Sequence, residues 1–500
     1  MGFEQIVSEI LSSLDLYTLF LIAVGTLIGI VVGALPGLTT TMGIALLTGL
    51  TYKFSGNAAI ALLMGLYVGG VSGGSLSAIL IGIPGTPANA STTLDGFPLS
   101  MEGKASQAIT IARTASIIGT LFGIACLAFF TPFLSDLSLK FTSAEFFLLG
   151  LFGVLISGTM TGADHPIKGW IAGIFGLGVG LIGTDELCGY QRLCFNSSEL
   201  IGGIPFVPIM IGFFAIPQIV ESLISEQDVL VAKLDKSRVK LIEVVKNLGV
   251  ALRAGLIGVG IGVIPGVGED VASWVSYGVA KRTSKHPEQY GKGSYEGLIA
   301  AETADNACIG GAIIPLLSLG IPGSPPAAIL LGAFLLHGIR PGPMLTFEFP
   351  SFLYQTVAWL TVATIMMWAL SIMIAKPMAK ILQIKNAIIM PIIAVLCAIG
   401  AYSLDLRFLD LVLVFISGLI GLIFNRGKYP AAPLVLGIIL GPLVDTSFRR
   451  ALQASNGDLS IFVTRPVSLI LLLATVILIV AQLGVFGKVK QFFQKKSATV

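Results

Sequence analysis

Five side chains able to offer oxygen to a cation fall within or beside sequence otherwise fit for a lipid interior: Glu269, Asp270, Glu302, Asp305 and Asn306. Such groups are costly in hydrocarbon and usually mark an ion or substrate path. They are the candidate sites for a coupling ion, Na+ or H+. The competing reading sets Glu269 and Glu302 at the membrane interface as solvated end charges. A second set is small and polar. Thr39, Thr40 and Thr41 follow Pro36-Gly37; Gly85, Thr86 and Asn89 follow Pro84; Gly268 follows Pro265-Gly266; Gly323 and Ser324 follow Pro322. Hydroxyls, amides and the free N–H groups of a helix start donate to carboxylate oxygens, so these are the candidate substrate contacts. Ser91 and Thr92 stand beside them, and the plain alternative for the whole set is close packing between helices.

Other chemistry finds little support. No G-x-x-x-x-G-K-[ST] is present, and Gly103-Lys104-Ala105 lacks both the spacing and the hydroxyl, so no nucleotide site powers the protein. H-E-x-x-H is absent too. Five cysteines without C-x-x-C or a His-x-Cys cluster give no transition-metal framework, and no cofactor is expected. His165, His286 and His337 show no pairing pattern. Arg113, His337 and Arg340 flank the patterned regions; attraction of anions is one reading, and helix-end cations whose stems snorkel is the preferred one.

The prolines say what must position these residues. Pro36-Gly37 and Pro265-Gly266 interrupt apolar runs, where proline removes a donor and glycine lets the chain leave helical geometry. Each run is expected to unwind there. Unsatisfied amides cost several kcal/mol apiece in hydrocarbon, so such breaks persist only where protein or a wet cavity satisfies them. Pro84 and Pro322 lie in two longer apolar regions, 54–94 and 306–336, that read as a span followed by a re-entrant hairpin.

Composition places all of this in a membrane. Of 500 residues, 55% are hydrophobic and 11% charged, with Gly 60 and Pro 24. The mean hydropathy is +0.92. A soluble chain carries about a quarter of its residues as charges. Thirty basic against 27 acidic residues leave no basic surface for nucleic acid. Charge-free windows of span length recur at 16–35, 114–135, 146–163, 200–220, 350–375, 386–404 and 466–487, and shorter ones at 169–184, 254–268, 411–425 and 429–444. These predict about 10–14 crossings of an all-α polytopic protein. Glu4, Glu9 and Asp15 precede the first span, unlike the basic start of a cleaved leader, so that span is expected to be retained.

Lysine and arginine set the expected orientation. The cluster Lys233, Lys236, Arg238, Lys240, Lys246 and Arg253, and the tail with Lys488, Lys490, Lys495 and Lys496, are expected in the cytoplasm. The acidic N-terminus then lies outside. Cys188 and Cys194 fall in a loop placed outside, where a disulfide is permitted but not demanded. The corresponding organisation is a first transmembrane repeat over 1–225, a cytoplasmic connection over 226–246, a second repeat with added scaffold spans over 247–487, and a tail over 488–500.

Two motifs occur twice. Gly33-Ala34-Leu35-Pro36-Gly37-Leu38-Thr39 matches Gly262-Val263-Ile264-Pro265-Gly266-Val267-Gly268 at an offset of 229. Ile81-Gly82-Ile83-Pro84-Gly85-Thr86-Pro87 matches Leu319-Gly320-Ile321-Pro322-Gly323-Ser324-Pro325 at an offset of 238. Their order is kept. With one copy starting outside and the other at the cytoplasmic connection, the repeat is inverted, an arrangement that secondary carriers use to build a midplane site from broken helices. An elevator-type carrier, one block bearing the hairpins moving against a scaffold, is the expectation. A stand-alone carrier, an anion channel and a membrane scaffold without transport are the alternatives.

Gly33–Thr41, Gly73–Ala90 with Asp95-Gly96-Phe97-Pro98-Leu99, Gly262–Tyr277, Glu302–Asn306, and Leu319–Ser324 with His337-Gly338-Ile339-Arg340-Pro341-Gly342-Pro343 resemble the large membrane subunit of the tripartite tricarboxylate transporters. The resemblance runs over nearly the whole chain. It implies a bacterial inner-membrane permease that works with a small membrane subunit and a periplasmic solute-binding protein, importing carboxylates with sodium or protons. The chain departs from the family pattern at Asp305, where a second Asn is usual, and the extra carboxylate bears on cation choice.

Overall fold

The apolar runs fold as helices because only a helix satisfies its own backbone in lipid. The computed structural model describes residues 3–162, 165–224 and 242–482. Lys233, Lys236, Arg238, Lys240, residues 226–241 of the predicted connection 226–246, and the tail lysines lie outside the described residues.

In chain order the helices are α1 Phe3–Ser13, α2 Leu16–Ala34, α3 Thr40–Leu50, α4 Gly56–Ile81, α5 Ala90–Met101, α6 Ala105–Ser138, α7 Ser143–Thr161, α8 Pro166–Gly180, α9 Phe206–Ile224, α10 Ile242–Lys246 and α11 Leu248–Gly262. There follow α12 Gly268–Thr283, α13 Tyr295–Leu319, α14 Pro325–Leu336, α15 Leu345–Glu348, α16 Phe352–Ile381, α17 Asn386–Asp405, α18 Phe408–Arg426, α19 Ala431–Ala454, α20 Ile461–Thr464 and α21 Pro466–Gln482. Among the described residues, nine helices are long and apolar enough to cross a membrane. The protein is an all-α, multi-pass membrane protein. Its chain forms two compact units, one of residues 1–138 and 205–427, the other of 139–204 and 428–500.

Both Pro-Gly breaks in the first unit reverse the chain outright. Side chains added at Gly25, Gly29 and Gly33 of α2 would strike the carbonyls of Leu62, Leu66 and Gly70 of α4, in rising order, so these two helices run parallel at backbone contact. Thr40 lies against Gly70 and Gly43 against Leu66, in falling order, so α3 runs back. Pro36-Gly37 is therefore the tip of a hairpin, with Gly37 at φ +92°. The second copy does the same. Gly258 and Gly262 of α11 lie on Ala304 and Cys308 of α13, while Ser276 of α12 bonds back to the carbonyl of Ala300, with Gly266 at φ +67° in the tip. The sequence predicts a break at each site; the reversal depends on a long parallel neighbour that no local signal reveals.

The doubled Gly-Ile-Pro-Gly motif closes the long spans. Gly82 (φ +68°) and Gly320 (φ +72°) end α4 and α13 in the left-handed conformation that glycine adopts without strain. The chain then re-enters in extended form until Gly85 N–H bonds the carbonyl of Gly74 (3.3 Å) and Gly323 N–H that of Ala312 (3.2 Å). From these tips α5 and α14 leave again, each in the direction of the span before it: Asn89 lies at Gly74 and Gly96 at Ile79, and Gly342 reaches the carbonyl of Leu317.

Contacts between the copies fix their relative sense. Thr92 of α5 bonds Glu302 and Asp95 lies beside Gly297, so α5, and α4 with it, runs against α13. Independently, Ser324 at the start of α14 meets Tyr67 while His337 at its end lies over Gly56, so α14, and α13 with it, runs against α4. The repeat is inverted. Asp95 pins the two copies together: Oδ1 accepts from the amides of Gly291 (2.8 Å), Gly293 (3.0 Å) and Ser294 (2.8 Å), and Oδ2 from the Tyr277 hydroxyl (2.9 Å). This gives the Asp95–Leu99 motif a structural task. In the same loop burial and the nearby Glu296 carboxylate push the Tyr290 hydroxyl well above its usual range, so it stays a donor to Glu296 at 3.1 Å.

A further match supports the repeat beyond the hairpins. Pro208, Gly212 and Pro217 of α9 recur as Pro433, Gly437 and Pro442 of α19 at one offset of 225. In the second unit α7, α8 and α19 pack through Gly158 on Gly169 and Gly176 on Leu434. Glu145 accepts from Arg465 Nε (2.8 Å) and Ser468 (2.5 Å), and Arg449 bridges Asp185 (2.8 Å) and Asp445 (2.7 Å). Cys188 and Cys194 are both free thiols here, without the permitted bridge.

Two outcomes follow from this geometry. Lys53 and Lys285 are exposed in loops that precede the matched, opposed helices α4 and α13; single-cysteine labelling at these positions with an impermeant maleimide should find them on opposite faces of the membrane, and labelling from one face would refute the inversion. Asp95→Ala strands the buried Ser294 amide and Tyr277 hydroxyl, each worth about 1–3 kcal/mol when left unpaired, and releases the more accessible amides of Gly291 and Gly293. The purified protein should melt several degrees lower, and an unchanged melting temperature would show that the loop does not depend on this carboxylate.

Candidate functional site

The spans α4 and α13 carry the site because they are enclosed on all sides. Every residue from Ala58 to Ile81 and from Gly297 to Ser318 is buried. The helix α13 begins at Tyr295, well before the apolar region the sequence marks, so Glu302, Asp305 and Asn306 lie in its third and fourth turns with 0% exposure. The reading of Glu302 as a solvated end charge is thereby corrected, and Glu269, at 3% exposure, is buried as well. Hydropathy alone misplaces the start because three carboxylates, Glu296, Glu302 and Asp305, depress the window.

The first-copy tip meets these side chains directly. Asn89 Nδ2 donates to Glu302 Oε1 (3.2 Å) and Asp305 Oδ2 (3.0 Å), while its Oδ1 accepts from Thr86 (2.7 Å). Glu302 accepts further from Thr92 (2.6 Å) and from Ser116 of α6 (2.9 Å). Oδ1 of Asp305 has no donor among the described residues. Two carboxylates joined through one amide group in a low-dielectric interior cannot both hold charge without a cation. Asn306 turns elsewhere, donating to the Glu302 carbonyl (2.9 Å) and meeting Thr120 (3.5 Å).

The second-copy tip meets α4. The Tyr67 hydroxyl donates to Glu269 and pairs with Ser324 Oγ at 2.8 Å, and Ser324 caps α14 through the Ala327 amide (3.4 Å). Gly268 lies against Ser324 and Pro325. Ser91 and Ser273 share a hydrogen bond between α5 and α12. Thr39 caps α3 through Met42 (3.1 Å), with Thr40 and Thr41 buried behind it. The first turns of α3, α5, α12 and α14 therefore all reach the middle of α4 or α13. Of these, α12 already carries Glu269 and Asp270 in its first turn, which complement its dipole and disfavour a further anion there. Asp270 is exposed, unlike Glu269.

The sequence reading groups neither Tyr67 nor Ser72 nor Ser116 with the site. Tyr67 carries a signal, however: the offset of 238 makes it the repeat-mate of Asp305, as Met64 is of Glu302. Arg113 is the larger correction. It is fully buried in α6 and does not snorkel, its Nη1 bonding the carbonyl and hydroxyl of Ser72. Arg340 is exposed and His337 half-buried. One G-x-S-x-G match, Gly70-Val71-Ser72-Gly73-Gly74, does occur. It lies inside α4 with Ser72 on a guanidinium, whereas a hydrolase nucleophile needs a strand-to-helix elbow and a base.

Comparison with known proteins finds relatives of this sequence. The description "Tripartite tricarboxylate transporter TctA family" fits residues 19–436. A protein of Agrobacterium vitis called "Uncharacterized 52.8 kDa protein in TAR-I ttuC' 3'region" is 36% identical over 455 residues, 90% of this chain and 90% of its own. Another from that organism, "Uncharacterized protein in TAR-II ttuC' 3'region", is 38% identical over 212 residues, 42% of this chain and 88% of its own. No solved structure matches. Because the fit takes in both inverted copies and the polar layer between them, the chain belongs to the tripartite tricarboxylate transporter TctA family, the large membrane subunit of such transporters.

Proposed function

We propose that this subunit is the permease of a secondary active, binding-protein-dependent importer of di- and tricarboxylates. Uptake is by symport with sodium or protons across the bacterial inner membrane, with the N-terminus outside and the C-terminus in the cytoplasm. Its partners on this reading are a small membrane subunit and a periplasmic solute-binding protein. The observation that carries it is the Glu302–Asn89–Asp305 cluster, buried where the two copies meet. Thr86, Asn89, Ser324 and the three buried carboxylates are all 4% exposed or less, which favours an occluding carrier over an open channel.

Energetics require the co-ion. Each negative charge moved inward against an inside-negative potential costs about 2.3 kcal/mol per 100 mV, and a trianion roughly 7 kcal/mol. Helix termini contribute only about 0.3–2 kcal/mol each and do not travel with the cargo. Cargo oxygens meet the hydroxyls and amides of Thr39–Thr41, Thr86 and Ser324, and Glu269, Glu302 and Asp305 are the cation side. Alternating access is by rigid movement of the block that holds the four hairpin tips, an elevator step.

In proteoliposomes holding the purified complex, carboxylate uptake should collapse when sodium and proton gradients are both abolished. Uptake that continues unchanged would overturn symport. A screen of the complex against carboxylates with and without sodium should raise the melting temperature for the true cargo and driving ion together; a set of ligands with no effect under any ion would count against transport of this class.

A further inference from the structure

The buried Arg113 has no role in the account above. On α6 it precedes Ser116 by one turn, and residues 113, 116 and 120 form one stripe. Ser116 bonds Glu302 and Thr120 reaches Asn306, so that stripe faces the cation cluster on α13. The guanidinium therefore sits one turn along α6 from the hydroxyl that bonds Glu302. Nη1 is held by Ser72, but Nε and Nη2 have no acceptor among the described residues. A guanidinium stays charged in proteins. Its charge is a permanent part of the cluster.

The charges can be added. Arg113 contributes one positive charge and Glu302 and Asp305 one negative charge each, leaving a single negative charge in a medium where an unpaired one is prohibitive. Oδ1 of Asp305, which accepts no hydrogen bond from the described residues, is the carboxylate oxygen available to a cation. The matching half of the repeat holds no such cluster: at the offset of 238, Glu302 corresponds to Met64, Asn306 to Val68, Asn89 to Ala327 and Thr92 to Leu330. Glu269 and Asp270, in the first turn of α12, are the other carboxylates near these elements. Their contribution is constant among variants of Arg113 and Glu302, so it drops out of any comparison between them.

We propose that Arg113 is a built-in counter-ion that sets the coupling stoichiometry of the Glu302–Asp305 site at one monovalent cation, Na+ or H+. Without it the pair takes two. This rests on the reading of the protein as a cation-coupled carrier, and the test separates the two claims.

The readout is the coupling ratio, taken from reversal potentials of the complete tripartite complex in proteoliposomes, with sodium-gradient and pH-gradient arms to identify the ion. Glu302→Gln leaves Arg113 to neutralise Asp305, and the ratio should fall by one, lowering the attainable cargo gradient about tenfold at a tenfold ion gradient. Adding Arg113→Gln restores the lone negative charge of Asp305, and the double variant should return to the wild-type ratio. Arg113→Gln alone should gain one cation, and Arg113→Lys should match the wild type. A double variant that stays as uncoupled as Glu302→Gln, or is less stable than both single variants, overturns the role of Arg113. Should Arg113→Gln alone not fold, Arg113→Lys and the double variant still decide. Wild-type uptake that ignores both gradients would instead refute the functional reading.

Discussion

Backbone amides inside a lipid slab must find partners within the chain, and everything distinctive here follows from how the two re-entrant tips find theirs. At Gly85 the N–H reaches the carbonyl of Gly74, and a side chain on Gly85 would collide with the carbonyl of Gly33. In the other copy Gly323 stands on Ala312 and Gly262 in the same way. Each tip is a three-strand meeting of backbones: a hairpin end, a long span and a returning segment. Only glycine at the tip permits that approach. Once the tips are held at this depth, Asn89 arrives at α13 and Ser324 at α4. The polar layer is a consequence of backbone satisfaction.

The two halves of that layer share a frame and differ in chemistry. Matched positions hold Thr40 and Glu269, Tyr67 and Asp305, Met64 and Glu302, Ala327 and Asn89. The half around α13 therefore collects two carboxylates, an amide and hydroxyls, while the half around α4 holds a tyrosine between one carboxylate and a serine. A twofold fold with a one-sided charge distribution is what a coupled carrier needs. On the proposed reading the frame would supply two equivalent conformations, and the asymmetry would confine a bound cation to one place.

Much of this was legible in the chain. The paired Pro-Gly and Gly-Ile-Pro-Gly motifs, kept in order, predict an inverted repeat with re-entrant hairpins, and contacts such as Thr92 with Glu302 and Ser324 with Tyr67 agree. What escaped was long-range. Nothing near Pro36 says that α3 doubles back, because the reversal is fixed by Thr40 against Gly70, 30 positions later. Arg113 reads as a helix-end cation until α4 and α13 are wrapped around it. The Pro208–Gly212–Pro217 recurrence was available by offset alone, yet its residues carry no chemistry that draws attention.

Cation and cargo are coupled, on the proposed reading, through Asn89. Its amide nitrogen is spent on Glu302 and Asp305, and its oxygen on the Thr86 hydroxyl. A cation entering at Asp305 competes with that nitrogen for carboxylate oxygen, and any turn of the amide to face the cation with its oxygen takes the acceptor away from Thr86. The hydroxyl so released stands at the first-copy tip, beside the start of α5, where a cargo carboxylate accepts it. An empty cation site therefore keeps a donor of the cargo site occupied from within. On that reading one side chain sets the order of binding: positive charge first, then the anion.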